Sequence, residues 1–508
     1  MTSSSGSPEG PDLTRGVAAD ELQEGMPLVG HVGDQAVMIV RSQGTLHAVG
    51  ATCSHYGGPL AEGVIAGNAV RCPWHHATFQ LETGEVIRPP ALAPIPCYPV
   101  EVRDGMAYVR PADASAVAPR RPARRGSPHP ESIVVVGGGA AGFSAVRTLR
   151  SDGYEGRIAL VTAESTAPVD RPNLSKDYLA GNAPEDWIPL RPDAWYADNG
   201  VELRTSAPVG AISARDKSVL LHDGTSLRYG ALILAPGADP IRLPLGDAPV
   251  LYLRTLADSR AIVQRAQAVR SAVVIGASFI GLEVAASLRT RGLDVTVVAP
   301  EEMPLERVLG RDLAVTVRDV HESHGVRFRL GRTVTGATHD AVQLDDGTTI
   351  PATLIVAGVG VRPNTQLAEA AGLGVNRGII VDAYLRTSAP DIFAAGDAAR
   401  FPSPHGGDSL RIEHWVVAEC HGQAAARNAL GANEPFVDVP FFWSAHYDMT
   451  ISYVGHATRP DRVELDGDPA RRDCTVRYFE QDQLRAVATI GRDRVSLEAE
   501  EMLASVPA

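Results

Sequence analysis

No stretch of this 508-residue chain approaches the 18 or more uninterrupted apolar residues that a membrane helix requires. Met1 to Pro11 is rich in Ser and Gly, not a basic start followed by an apolar run, so nothing there has the pattern of a secretory leader. A cytoplasmic location is expected. Basic residues are in deficit: 47 Lys and Arg against 60 Asp and Glu leave a formal net charge of −13, which argues against nucleic acid as a partner, because neutralising phosphates needs a surplus of cations. Cysteine is scarce and odd in number. The five, Cys53, Cys72, Cys97, Cys420 and Cys474, cannot form the dense framework of a small secreted scaffold. Two of them, however, stand beside histidines.

The length exceeds one core and suggests roughly three or four domains. After a flexible tail over 1–16, residues 17–110 carry short β-branched runs broken by Gly and Pro, which predicts a small all-β domain. Residues 111–130, rich in Pro, Ala, Ser and Arg, have no apolar periodicity and read as a linker. Its arginines 120, 121, 124 and 125 could dock an acidic partner, but a solvated tether explains them as well. At Ser132 the texture becomes strand, glycine turn and helix, and SIVVVGGGAAGFSAVRTLR returns at Ser271 as SAVVIGASFIGLEVAASLR. This repetition predicts two nucleotide-binding α/β folds in one chain. Beyond 433, VPFFWSAHYDMTISYVGHA and DCTVRYFEQDQLRAVATIG alternate like antiparallel strands, as in a final α+β domain.

Cys53-Ser54-His55 and Cys72-Pro73-Trp74-His75, separated by sixteen residues, make the pattern C-x-H…C-x-x-H. Two thiolates and two imidazoles suit either a structural zinc ion or a [2Fe–2S] cluster with sulfur on one iron and nitrogen on the other. Each pair lies in a Gly- or Pro-bearing loop, no recognition-helix pattern follows the histidines, and a nucleotide-binding module stands next in the chain, all of which favour iron. These loops resemble ferredoxin-like Rieske domains over residues 20–110, which implies Cys53, His55, Cys72 and His75 as ligands. The loops lack the extra cysteines and the serine of high-potential Rieske proteins, so a potential toward the low end of the Rieske range is implied. His76 reads as a bystander, and Cys97 and Cys420 as structural.

Gly137-x-Gly139-x-x-Gly142 follows the strand IVVV and opens a helix, with Glu164 at the end of the next strand, where a carboxylate can meet ribose hydroxyls. Phosphate would rest on the unpaired N–H groups at the helix start. Downstream, Asp397 in TSAPDIFAAGDAA, together with ILAPGA at 233–238 and VAGVGVRPN at 356–364, resembles the glutathione-reductase superfamily of flavoproteins. That resemblance implies FAD at the first site, with Asp397 on the ribityl chain. The second turn keeps Gly276 and Gly281 with Ser278 between them. Its following strand ends on Ala299, where many NADH-dependent relatives place a glutamate, although Glu301 or Glu302 lies within reach; no neighbouring arginines for a 2′-phosphate are obvious, which favours NADH over NADPH modestly.

Asp170-Arg171-Pro172-Asn173-Leu174-Ser175-Lys176 resembles the corresponding segment of oxygenase-coupled ferredoxin reductases and apoptosis-inducing-factor-like proteins, and the redox cysteine pair of disulfide reductases is missing. With the Rieske-like region in front, the whole chain resembles the Rieske-containing branch of that family. The resemblance implies a small all-β Rieske domain at 17–110, an FAD domain from 131–245 and 362–432, an NAD(P)H domain at 246–361 and a C-terminal α+β interface domain at 433–508. It implies Arg171 and Lys176 at the flavin, Lys176 paired with Glu283, and Trp415 near the isoalloxazine. A surface lysine, a helix-start glutamate and a packing tryptophan remain the plain alternatives. Phe442, Trp443 and Tyr447 fit the same interface or an ordinary core. The expected function is an NAD(P)H-dependent oxidoreductase whose FAD feeds single electrons to its own [2Fe–2S] cluster and on to an oxygenase, a cytochrome or a small molecule. The alternatives are direct flavin chemistry on an organic substrate, with the cluster as relay, and an NADH-sensing redox or interaction protein. A homodimer is left open.

Overall fold

The computed structural model describes residues 10–111, 129–404 and 407–505. The arginines of the linker fall outside these. The chain divides into two units: residues 1–122 with 492–505, and residues 123–491 with 506–508.

The first unit is all-β apart from short turns and one helix. Antiparallel strands Leu28–Val32, Gln35–Ser42, Thr45–Gly50 and Cys97–Tyr98 form one sheet, and Val64–Ala66, Ala69–Arg71, Thr78–Gln80 and Val86–Arg88 form a second. A three-stranded sheet of Val17–Ala18, Met106–Val109 and Val100–Arg103 completes it. The alternating patterns bury Met38, Val40, Val49, Val70 and Phe79 in a common core around Cys53 and Cys72. The tail expected over 1–16 enters the fold before its predicted end: Leu13 is fully buried, and the N–H of His31 donates to the carbonyl of Pro11 at 3.0 Å. An apolar side chain in reach of the β core was enough to order this stretch. The helix Asp493–Ala504 also groups with this unit, although it ends the segment expected to form the C-terminal domain. Periodicity says that a helix is amphipathic but not which sheet receives its apolar face.

The second unit holds two parallel five-stranded sheets. The first runs Val201–Arg204, Arg157–Val161, Ser132–Val136, Ala231–Leu234 and Ile392–Ala394. The second runs Val250–Tyr252, Leu354–Ala357, Ser271–Ile275, Asp294–Ala299 and Arg327–Leu330. Because Ile392–Ala394 returns to the first sheet, the second is inserted within it. Continuous apolar strands such as SIVVV and SAVVI suit sheets covered on both faces. Four helices frame the site: α1 (Ala140–Ser151), α2 (Arg171–Ser175), α3 (Phe279–Thr290) and α4 (Trp415–Ala429). An antiparallel sheet in the order Phe441–His446, Met449–Gly455, Gln483–Ile490, Asp473–Glu480 and Arg462–Asp468 follows.

Candidate redox sites

In the first unit the two ligand loops converge. Cys53 and Cys72 are 3% and 1% exposed, and their sulfurs are hydrogen-bonded to each other. The Nδ1 atoms of His55 and His75 face each other at 3.1 Å, with ring centroids 4.9 Å apart and planes nearly perpendicular. Burial lowers the His55 pKa to about 3, so the ring is neutral and can offer a lone pair to a metal. The donors stand as a sulfur pair and an imidazole pair, an arrangement that fits two irons better than one tetrahedral zinc. Gly58 makes the approach feasible, since a Cβ there would lie 2.7 Å from the Cys72 sulfur. Tyr56 stacks on His55 at 3.9 Å, and Trp74 stands edge-on to His75 with 39% of its surface exposed.

In the second unit a cavity of about 940 Å³ runs along the carboxyl ends of the first sheet and reaches the second dinucleotide turn. Gly137 has φ +115°, and a Cβ there would meet the Ala235 carbonyl oxygen at 1.9 Å. Gly142 would meet the Gly137 carbonyl at the same distance, so the turn and the start of α1 close tightly. At Gly139 a Cβ would find only Arg171 Nη2, at 3.8 Å; the space above it lies open for a diphosphate at the α1 N-terminus. Glu164 and Arg171 form an ion pair on the cavity wall. Asp397, also on the wall, meets Arg254 at 2.7 Å. His414 is the N-cap residue of α4 and lines the cavity, and its Nδ1 is buried with no hydrogen-bond partner among the described residues. A cavity of this size, an open glycine cradle, wall carboxylates for hydroxyls and an unpartnered buried imidazole nitrogen fit FAD.

The second turn repeats the first. Gly276 has φ +102° and lies against the Gly358 carbonyl, while a Cβ on Gly281 would meet the Gly276 carbonyl at 2.2 Å. Ser278 occupies the middle position for a reason beyond size. Its hydroxyl accepts the Gly281 N–H at 3.1 Å and donates to the Gly358 carbonyl at 2.7 Å, capping α3. Ser278 lines the cavity. Glu301 sits two residues beyond the strand that ends at Ala299, and its carbonyl accepts the Gly331 N–H at 3.0 Å. Arg332, which the sequence pattern did not single out, comes beside Ala299 through its backbone, but its guanidinium pairs with Asp346 at 2.9 Å.

Lys176 and Glu283 meet on the cavity wall at 2.9 Å. Glu283 is 3% exposed and also accepts hydroxyls from Ser175 at 2.6 Å and Ser444 at 2.8 Å. Neither serine had been singled out. Ser175 was visible beside Lys176 in the motif, whereas Ser444 comes from a strand distant in sequence and carried no signal. Trp415, Phe442 and Trp443 line the same cavity, while Tyr447 stacks on His324 at 3.7 Å instead. Glu413 reaches Arg411 at 2.5 Å, and burial pushes its carboxyl above the usual range.

Two parallel dinucleotide folds around one cavity, joined in sequence to a loop pair with two sulfurs and two imidazoles, define a pyridine-nucleotide-dependent oxidoreductase with an iron–sulfur domain. Residues 131–422 match the pyridine nucleotide-disulphide oxidoreductase family, residues 14–99 the Rieske [2Fe-2S] domain and residues 441–506 the reductase C-terminal family. The chain is 33% identical to human apoptosis-inducing factor 3 over 96% of its own length and 83% of that protein. It is 37% identical to putidaredoxin reductase of Pseudomonas putida over 71% of its length and 89% of the relative. The crystal structure of the covalent putidaredoxin reductase–putidaredoxin complex superposes with a TM-score of 0.71, at 35% identity, covering 74% of this chain and 93% of that one. The chain belongs to the pyridine nucleotide-disulphide oxidoreductase family, in its Rieske-containing, apoptosis-inducing-factor-like branch of ferredoxin reductases. No helix among the described residues is long and apolar enough to cross a membrane.

Proposed function

We propose that this reductase takes electrons from NADH and delivers them one at a time to the Rieske centre of its own chain, and from there to an external acceptor. The observation that carries the reading is the presence, in one polypeptide, of an FAD-shaped cavity and a paired-sulfur, paired-imidazole site. When bound, FAD accepts a hydride and releases single electrons, and a [2Fe–2S] cluster carries one electron at a time. Cys53 and Cys72 would hold one iron, and His55 and His75 the other. Covalent linkage makes the transfer intramolecular, so its rate does not depend on the concentration of a separate carrier. In the putidaredoxin reductase relative the partner named is a separate protein; in this chain the N-terminal unit takes that place.

The chain's own residues prepare the cavity. Gly139 and the α1 N-terminus receive the diphosphate, Glu164 and Asp397 accept ribose and ribityl hydroxyls, and Arg171 neutralises Glu164 until those hydroxyls arrive. Gly276, Ser278 and Gly281 seat the nicotinamide dinucleotide at α3. Lys176 offers a fixed ammonium, oriented by Glu283, whose carboxylate is in turn held by Ser175 and Ser444. Trp415 provides an aromatic face on the same wall. NADH is favoured because Arg332, the arginine beside the strand end at Ala299, is paired with Asp346 rather than free for a 2′-phosphate, while Glu301 two residues on offers a carboxylate in place of the one Ala299 lacks. The acceptor class is an oxygenase, a cytochrome or a small molecule.

The test is anaerobic titration with NADH and with NADPH, followed by optical and EPR spectra. A rhombic EPR signal appearing with NADH alone is the expected result. Bleaching of flavin absorbance while the cluster stays oxidised would refute the intramolecular path.

A further inference from the structure

His76 follows the last of the four expected ligands, and the spacing leaves it no place at the irons. Its backbone nonetheless sits at φ +61°, a left-handed conformation open to glycine and rarely adopted by a residue with a Cβ. Its ring is fully buried. Nδ1 is hydrogen-bonded to Glu500 and Nε2 to Ser496 Oγ at 3.3 Å, so the C-terminal helix Asp493–Ala504 holds both nitrogens. Glu500, 3% exposed, also pairs with Arg71 at 2.5 Å and with Arg88. Arg71 immediately precedes Cys72, and it reaches Glu501 at 2.8 Å as well. The loop between is closed by the Cys72 N–H on the Ala77 carbonyl at 2.8 Å and the His76 N–H on the Cys72 carbonyl at 3.1 Å. One carboxylate therefore ties together the residue before the second ligand pair, the residue after it, and the neighbouring strand at Arg88.

We infer that the C-terminal helix is a working part of the Rieske centre, with Glu500 as a positioning residue that acts through His76 and Arg71 to fix the second ligand loop and set the cluster's reduction equilibrium. The inference rests on the reading of Cys53, His55, Cys72 and His75 as cluster ligands. The left-handed backbone at His76 is tolerated for the sake of its side chain. A loop selected only for its turn would be served by glycine there, whereas a buried imidazole bonded at both nitrogens gives the side chain a task. The reduced cluster carries one more negative charge than the oxidised one, so it is favoured by nearby cations and opposed by nearby anions. Glu500 offsets the buried guanidinium groups of Arg71 and Arg88; removing its charge leaves them facing the loop uncompensated by it.

The experiment uses the full-length, FAD-loaded protein and its Glu500→Gln and His76→Gly variants, with iron content, EPR g-values and the cluster potential measured by mediated titration. In Glu500→Gln the one-electron equilibrium is expected to shift toward the reduced form by about tenfold, which is about 59 mV for one electron. In His76→Gly, which removes the link while easing the backbone, the g-values are expected to change and iron to leave faster to a chelator. Loss of iron from Glu500→Gln with FAD content unchanged also supports the inference. If the wild-type protein holds no cluster, the ligand reading itself fails. If the wild type holds one, and both the potential and the g-values of Glu500→Gln match it, the inference fails while that reading stands. Should Glu500→Gln not fold, His76→Gly decides: unaltered g-values and unaltered iron release overturn the inference.

Discussion

Lys176 Nζ and Glu283 Oε2 stand 2.9 Å apart although one follows α2 and the other lies in the second turn of α3, in the inserted dinucleotide fold. The carboxylate is almost fully buried, and its oxygens also receive the Ser175 and Ser444 hydroxyls. A buried charge held by three donors is costly to assemble and costly to break. Both residues line the cavity wall.

Glu283→Gln is expected to slow flavin reduction by NADH about tenfold or more, because Lys176 loses the charge that orients it. Lys176→Met should do the same, and the double variant should cost little more than either single one, since the pair acts as a unit. Single-turnover stopped-flow reduction of protein with matched FAD content is the measurement. Additive losses would show that the two residues act separately.

The two glycine turns predict separable defects. A methyl group at Gly142 would lie 1.9 Å from the Gly137 carbonyl, and one at Gly281 would lie 2.2 Å from the Gly276 carbonyl. Gly142→Ala should therefore purify with little FAD. Gly281→Ala should keep its FAD and raise KM for NADH with a smaller effect on the photoreduced flavin's reoxidation. Cofactor content by absorbance and steady-state kinetics distinguish the two; equal FAD loss in both would contradict the assignment of the turns.

The reach of the sequence followed the range of the interactions. The two turns were legible because Gly137, Gly142, Gly276 and Gly281 are fixed by contacts within a few residues, and such contacts leave local patterns. The Cys53–His55 and Cys72–His75 loops were legible for the same reason. Ser444 and Glu500 were not, since a serine in a strand or a glutamate in a helix looks like surface until the partner is known. His76 was read as a bystander because ligand spacing addresses the metal alone. Leu13 escaped notice inside a polar tail, and the destination of the C-terminal helix depends on which β surface its buried Leu497 and Leu503 meet, which periodicity does not encode.

Gly58→Ala tests the sulfur site without touching a ligand. The added methyl carbon would sit 2.7 Å from the Cys72 sulfur and 3.2 Å from the Trp74 ring, and the former is too close for any relaxed structure. Iron and acid-labile sulfide are expected to fall well below the wild-type ratio while FAD content and NADH-dependent flavin reduction persist. Retention of a normal cluster would mean that the loop is looser than these contacts require.

Glu185 supplies a pH dependence of stability. Its carboxylate accepts from Arg260 at 2.6 Å and from the Tyr178 hydroxyl at 2.6 Å, and the Arg260 hydrogen bond, followed by that of Tyr178, lowers its pKa from 4.5 to about 2. A carboxyl whose folded-state pKa lies below its unfolded value stabilises the fold above the unfolded value, and the contribution is lost as pH falls through the folded one. The window here is about pH 4.5 down to about 2. Because the side chain is 48% exposed, solvent screening limits the contribution to about 1 kcal/mol or less. Glu185→Gln should thus melt slightly below the wild type at pH 7, with the difference shrinking steadily as pH is lowered beneath 4.5. Paired thermal melts of the FAD-loaded proteins across that range measure it, and a gap that stays constant with pH would remove Glu185 as its source.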